Sequence, residues 1–472
     1  MHFLKNINIK KIDFSLWALV FSILIVFYIN IRLEYWNTTE KVVTHDVLSY
    51  YAYLPATFIY HDLSLKFLSG PGHKLGKHFW GTKSPTDNTV IITSYGMSLL
   101  YSPFFAVANS VAELMGFPAD GYSKPYCFAL IFSSIFYLLI GAVFLRKLLL
   151  KYFPNLTVAI TLLTTILATN LLWYGTVEST MSHVYSFAFI TMFMYYADLW
   201  LQQQSYKHTV IIGLLIGVIS LIRPTNIIVV LLLVFWRIVD WKSLLNRILF
   251  FINNWYLILI MILMSFIVWM PQFIYWKYIS GSFLFYSYPE SMGFFWGNPQ
   301  LLNTLFSWRK GFLIYTPIMV FAIIGIGILY KNKRGLFWPV TIYLLITWYI
   351  VSSWWDWWYG GSFGLRPFID SYGVLAIGMA AFLTWASKQS RTKLMSIIII
   401  FLLTASLSIW HYKRYYGGSI HWVSMTRKAY FDSFWRKTPS NTFYGKLRKP
   451  DYKLAKKGIY KYEDENYKLP ED

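Results

Sequence analysis

Apolar residues in this chain come in long runs, and polar residues are confined to the gaps between them. A helix needs about 20 such residues to cross the hydrocarbon core of a bilayer. Spans on that reading run roughly 14–31, 125–147, 156–174, 183–201, 208–222, 226–240, 254–274, 312–330, 337–353, 367–387 and 394–411. The fifth and sixth are short. The predicted fold class is all-α, a polytopic membrane protein of about eleven transmembrane helices.

One further apolar stretch, 95–115, contains Gly96 and Pro103, and charge decides how it is read. Basic residues fall in alternate gaps: Lys5, Lys10 and Lys11; Arg146, Lys147 and Lys151; Lys207; Arg237, Lys242 and Arg247; Lys331, Lys333 and Arg334; Lys388, Arg391 and Lys393. That is the positive-inside pattern. A span at 95–115 would carry Arg146, Lys147 and Lys151 outside and invert every later basic gap, so the stretch is read as a helix lying at the outer surface. The N-terminus is then inside and the C-terminus outside. Residues 1–411 are expected to form the transmembrane domain, with 32–94 its first outer loop, and 412–472 a basic, aromatic extracytoplasmic region packed against it.

Composition agrees. With 57% hydrophobic, 21% aromatic and 13% charged residues, a soluble domain is excluded. The net charge of +21 suggests nucleic acid, but its distribution over the gaps points to membrane topology instead. The first apolar run lacks a small-residue cleavage site and reads as a retained span. Cys127, the one cysteine, lies inside an apolar run and reads as a small core residue. No internal repeat or low-complexity linker is visible.

The unusual residues sort to the outer side. Asp46 follows the first span and opens an aromatic stretch containing Tyr50; helix capping is the alternative role for such an Asp. Glu178 and His183 stand at the mouth of a span, where an ionisable group needs a partner or a wet cavity. Arg223, between two half-length apolar runs, should face an acid or a phosphate unless it snorkels. Arg309 and Lys310 adjoin the span at 312. Most distinctive is the segment 352–370, with Trp354, Trp355, Asp356, Trp357 and Trp358, three glycines within five residues, Arg366 and Asp370. It cannot be a lipid-facing helix, and irregular polar backbone beside a membrane is tolerated where it is buried in protein or lines a wet cavity.

The segments YGMSLLYSPFF, VESTMSHVYSFAF, LIRPTN, SWRKGFLIYTP and WWDWWYGGSFGLRPF, in this order over residues 1–411, resemble a bacterial branch of the GT-C superfamily of polytopic glycosyltransferases, which includes protein O-mannosyltransferases and aminoarabinose transferases. The resemblance implies inverting transfer of a sugar from a polyprenyl-phosphate donor to a lipid, glycan or protein acceptor, at the extracytoplasmic face of the bacterial cytoplasmic membrane. Asp46 matches the acidic residue of the superfamily's first outer loop and would accept the acceptor's proton, with Glu178 the rival catalytic carboxylate. Arg223, Arg309, Lys310 and Arg366 would bind the donor phosphate. His183, Tyr50, Trp354, Trp355, Asp356, Trp357, Trp358 and Asp370 would line the substrate. The chain departs from relatives with an adjacent acidic pair, because Asp46 is flanked by His45 and Val47. No spacing suggests a dedicated metal site and no cofactor is expected. The alternative reading is a transporter or flippase of a lipid-linked glycan; clean midplanes, with polar residues gathered at one face, favour the enzyme.

Overall fold

The computed structural model describes residues 13–69 and 79–460. Lys5, Lys10 and Lys11 lie outside that range. The chain is mostly helical, and the strands among the described residues are one short antiparallel pair, Gly81–Lys83 with Thr89–Ile91. Seven helices are long and apolar enough to cross a membrane: Phe14–Asn37, Lys124–Leu150, Ser182–Gln202, Trp255–Ser280, Arg334–Ser353, Arg366–Ala386 and Arg391–Tyr416. Four shorter apolar helices accompany them: Asn155–Leu167, Tyr206–Ile222, Pro224–Phe235 and Pro317–Asn332.

Helices packed among lipid gain little from the hydrophobic effect and instead approach closely through small residues. Gly325 and Gly378 provide such a contact: a Cβ added at Gly325 would sit 1.8 Å from the Gly378 carbonyl oxygen. Gly213 meets the Met261 backbone in the same way, seating helix 206–222 on helix 255–280. Helix 255–280 otherwise shows a largely exposed apolar surface, whereas helix 366–386 is almost wholly enclosed.

The structure revises several predicted boundaries. The expected span 226–240 is a 3-10 turn, Pro224–Val229, and a short helix, Val230–Phe235, after which Arg237 turns the chain with φ 64°. The adjoining segment, expected to be a plain connector, is a helix, Trp241–Asn253, capped by Asp240 accepting from the Ser243 amide. Trp241, Leu245, Ile248, Leu249 and Ile252 form an exposed apolar stripe on it, the pattern of a surface-lying helix. Pro317 breaks the span predicted for 312–330, so its continuous helix begins at Val320. The last long helix runs five residues beyond its predicted end, to Tyr416.

The stretch 95–115 is helical over Gly96–Val111 and 3-10 over Glu113–Met115. Its inner face, with Met97, Leu100, Tyr101, Phe105 and Ala108, is buried against helices 124–150 and 206–222. Residues from 417 onward fold back on the bundle. Trp410 Nε1 donates to the Phe434 carbonyl at 2.8 Å, and Tyr460 Oη donates to the Trp355 carbonyl at 2.9 Å.

Polar residues do not gather at one face alone. Asp198, a lone acid in an apolar helix, is fully buried at the far end of helix 182–202 from His183. Lys151 and Arg237 pair with it at 2.9 and 2.8 Å, and Tyr152 Oη and Trp236 Nε1 donate to its Oδ1 at 2.6 and 2.9 Å. The expectation of one-sided polarity is therefore corrected. A buried carboxylate survives where several donors replace its hydration, and here basic residues from two connectors supply them.

Candidate functional site

The site is built at helix ends, where the chain leaves regular structure and backbone can approach side chains. Helix 46–51 starts at Asp46, directly after His45, whose backbone is in a strained conformation with φ 48° and ψ −122°. Asp46 is therefore not the cap of this helix. Its carboxylate instead turns to Arg366, with Oδ2 at 2.8 Å from Nη2. Arg366 opens the 3-10 turn Arg366–Ser371 that leads into helix 372–386, so one ion pair joins the first loop to the end of the Trp/Gly segment.

Four residues later in that turn, Asp370 organises a second group. His183 Nδ1 lies 2.9 Å from its Oδ1, and Asn226 Nδ2 donates to its Oδ2 at 2.9 Å. Arg223 Nη1 reaches the same Oδ2 at 3.4 Å. Asp370 is thus the acidic partner that the depth of Arg223 requires. Asn226 belongs to the sequence LIRPTN but was not expected at the site; a short amide three residues after an Arg at a turn is its only signal.

Glu178, in the turn before helix 182–202, and Lys310 complete the charged cluster. Burial raises the Glu178 carboxyl, a bond to Trp173 and the cations Arg366 and Lys310 oppose that rise, and Asp46 reinforces it. Burial pulls the Lys310 ammonium well below the usual lysine range, with Glu178 opposing. Tyr50, whose Oη lies 3.4 Å from Ser182 Oγ, faces Asp46, Arg366 and Arg223. Tyr288 and Tyr359 also stand within electrostatic range of Arg223, and neither was expected from sequence.

The other predicted residues have different surroundings. Lys310 Nζ donates to the Ser362 and Trp422 carbonyls, and Arg309 Nη1 donates to the carbonyls of Val423 at 2.6 Å and Arg448 at 3.1 Å. In this structure these donors tie the C-terminal region to the Trp/Gly segment, and both side chains are buried there. Trp355, Trp357 and Trp358 are likewise buried, packed with Val423, Ala455 and Tyr460, and offer no open face for a sugar ring. Trp354 is partly exposed and rests on Phe294, with ring centroids 4.8 Å apart. Sequence alone offers no way to place the C-terminal region against these rings.

Asp356 lies in the same segment, where Tyr359 and Gly360 take successive positive φ values of 56° and 61°. Its Oδ1 is buried without a hydrogen-bond partner. Burial pushes the carboxyl up to about 7, against the pull of Arg366, Lys310 and Arg309. A carboxyl raised on folding stabilises its surroundings while protonated, an effect fully present below the unfolded value of 3.8 and lost as pH rises through about 7. Hydrogen-exchange protection in residues 354–365, referred to the intrinsic exchange rate at each pH, is therefore expected to fall between about pH 4 and 7 in wild type. Asp356→Asn should flatten that dependence. An unchanged pH dependence in the variant would place its origin elsewhere.

Of the cations, Arg223 and Arg366 remain available. A guanidinium offers five N–H donors, and Arg223 and Arg366 each commit one nitrogen to a carboxylate. Their side chains are 23% and 16% exposed, and the Asp46 side chain is 38% exposed. Guanidinium donors beside an accessible carboxylate are groups that can hold an anion next to a proton acceptor. Among the described residues, no group of three His, Cys, Asp or Glu has metal-binding geometry. No protein-family model matches the chain, and no curated protein matches it.

Proposed function

We propose that the protein is a membrane glycosyltransferase that moves a sugar from a polyprenyl-phosphate carrier to a lipid, glycan or protein acceptor, with inversion. The observation that carries this reading is the pair Arg366–Asp46 beside Arg223, with its partly uncommitted guanidinium donors and accessible carboxylate. Arg223 and Arg366 would hold the donor phosphate and stabilise the charge that grows on it as the glycosidic bond breaks. Asp46 would take the proton of the acceptor hydroxyl as its oxygen attacks the anomeric carbon. Glu178 is the rival for that role. Asp370 and Asn226 would set the angle of Arg223, and Tyr50, Tyr288 and Trp354 would present aromatic faces to the substrate.

Taking the four shorter apolar helices as spans completes the eleven-span topology. The site then lies on the extracytoplasmic side of the cytoplasmic membrane, with helix 96–111 and the short helices after Asp46 at the outer surface. The buried Asp198 cluster marks the opposite, basic side, consistent with the positive-inside pattern.

The direct test is native mass spectrometry of the purified protein with an added polyprenyl phosphate. Arg223→Ala and Arg366→Ala are each expected to weaken binding by about 1.5–3 kcal/mol, the range for a hydrogen bond to a charged group. Wild-type binding in both variants would leave these arginines with no role in the donor site.

A further inference from the structure

The C-terminal region carries an exposed surface that the proposed reaction does not use. Residues 417–460 contain ten Lys/Arg against two acids, and both acids are engaged. Asp432 accepts from Lys446, Ser440 and Thr442, while Asp451 accepts from the Leu454 amide. The outward field of this region is therefore cationic.

Its position against helix 391–416 is fixed by hydrogen bonds. Arg414 Nη2 donates to the Tyr430 carbonyl at 2.8 Å, and Trp410 Nε1 holds the Phe434 carbonyl at the same distance. Ser419 Oγ donates to the Arg436 carbonyl at 2.7 Å, and the Ser419 amide donates to the Lys437 carbonyl at 3.3 Å. Residues 430–437 therefore sit beside the last two turns of a helix long enough to cross a membrane, the level at which interfacial aromatic and basic side chains are found. Trp435 is 85% exposed and Phe431 is 55% exposed at that level. Lys413, Lys428, Arg436 and Lys437 are exposed around them, and none has an ion-pair partner among the described residues.

We infer that this face docks on the anionic phospholipid headgroups at the membrane surface, with Phe431 and Trp435 entering the interface and the four cations neutralising lipid phosphates. Large aromatic side chains are poorly accommodated in water at such exposure, and amphipathic rings have a favourable place at the headgroup level. Each cation near an anionic leaflet strengthens attachment by about fivefold. Charge complementarity selects the headgroup over a neutral partner.

The test uses the full chain in nanodiscs, with Trp435→Cys carrying an environment-sensitive fluorophore; Cys127 is buried and does not compete for the label. Emission is expected to shift to the blue as phosphatidylglycerol replaces phosphatidylcholine. In a background with Lys413, Lys428, Arg436 and Lys437 all changed to Gln, the required phosphatidylglycerol fraction should rise by at least tenfold or the shift should vanish. A shift equal in both lipids and unaffected by the four substitutions would overturn the headgroup assignment. A shift independent of lipid but abolished by deleting residues 461–472, which include Glu463, Asp464 and Glu465, would overturn it too, assigning the patch to the chain's own acidic end.

Discussion

Asp46→Asn is expected to lower sugar transfer about 100-fold or more while leaving donor binding near wild type. The substitution keeps the shape of the side chain and a hydrogen-bond acceptor for Arg366, 2.8 Å away, but removes the group able to take a proton. Turnover with a polyprenyl-phosphate sugar and binding of the carrier alone are measured side by side. Glu178→Gln is the matched control, since Glu178 shares the field of Arg366 and Lys310 but is raised by burial. Loss in Glu178→Gln with retention in Asp46→Asn would move the proton acceptor to Glu178, and retention in both would remove the proposed mechanism.

The second large effect is on stability. Asp198→Ala is expected to cost about 3 kcal/mol, because it orphans Trp236 Nε1 and Tyr152 Oη and leaves Lys151 and Arg237 facing a space without countercharge. Thermal unfolding in detergent should show a clear fall in Tm. Asp198→Asn, which keeps an acceptor for Trp236, is expected to lose less. Equal stability in wild type and both variants would show that the cluster contributes nothing net.

Legibility in the sequence followed physical range. The long apolar helices were readable because a span is a local property of about 20 consecutive residues. Helix 241–253 was not, because its apolar stripe is spaced around charged and polar positions and only its periodicity separates it from a connector. At the site, Arg223 was readable as a charge in need of a partner, yet nothing local pointed to Asp370, 147 positions away. Trp355, Trp357 and Trp358 misled for the opposite reason. Their number suggested an exposed stacking surface, but Val423, Ala455 and Tyr460 from a distant part of the chain cover them. Arg309 and Lys310 repeat the lesson, since bonds to carbonyls of residues 362, 422, 423 and 448 have no sequence signature.

Helix 182–202 is clamped at both ends, by Asp370 on His183 and by the donors around Asp198, points separated by about 22 Å along its axis. A slide of one residue would move it about 1.5 Å and turn it through about 100°, breaking both clamps together. The helix is thus held in one register from both ends. The connection 281–300 is pinned to the Trp/Gly segment as well: the Phe295 and Gln300 amides donate to the Ser353 and Ser352 carbonyls at 2.7 Å each, and the Trp355 amide donates to the Gly293 carbonyl at 3.0 Å. Register of helix 182–202 and spacing of the charged groups at its two ends are therefore a single property, kept or lost together.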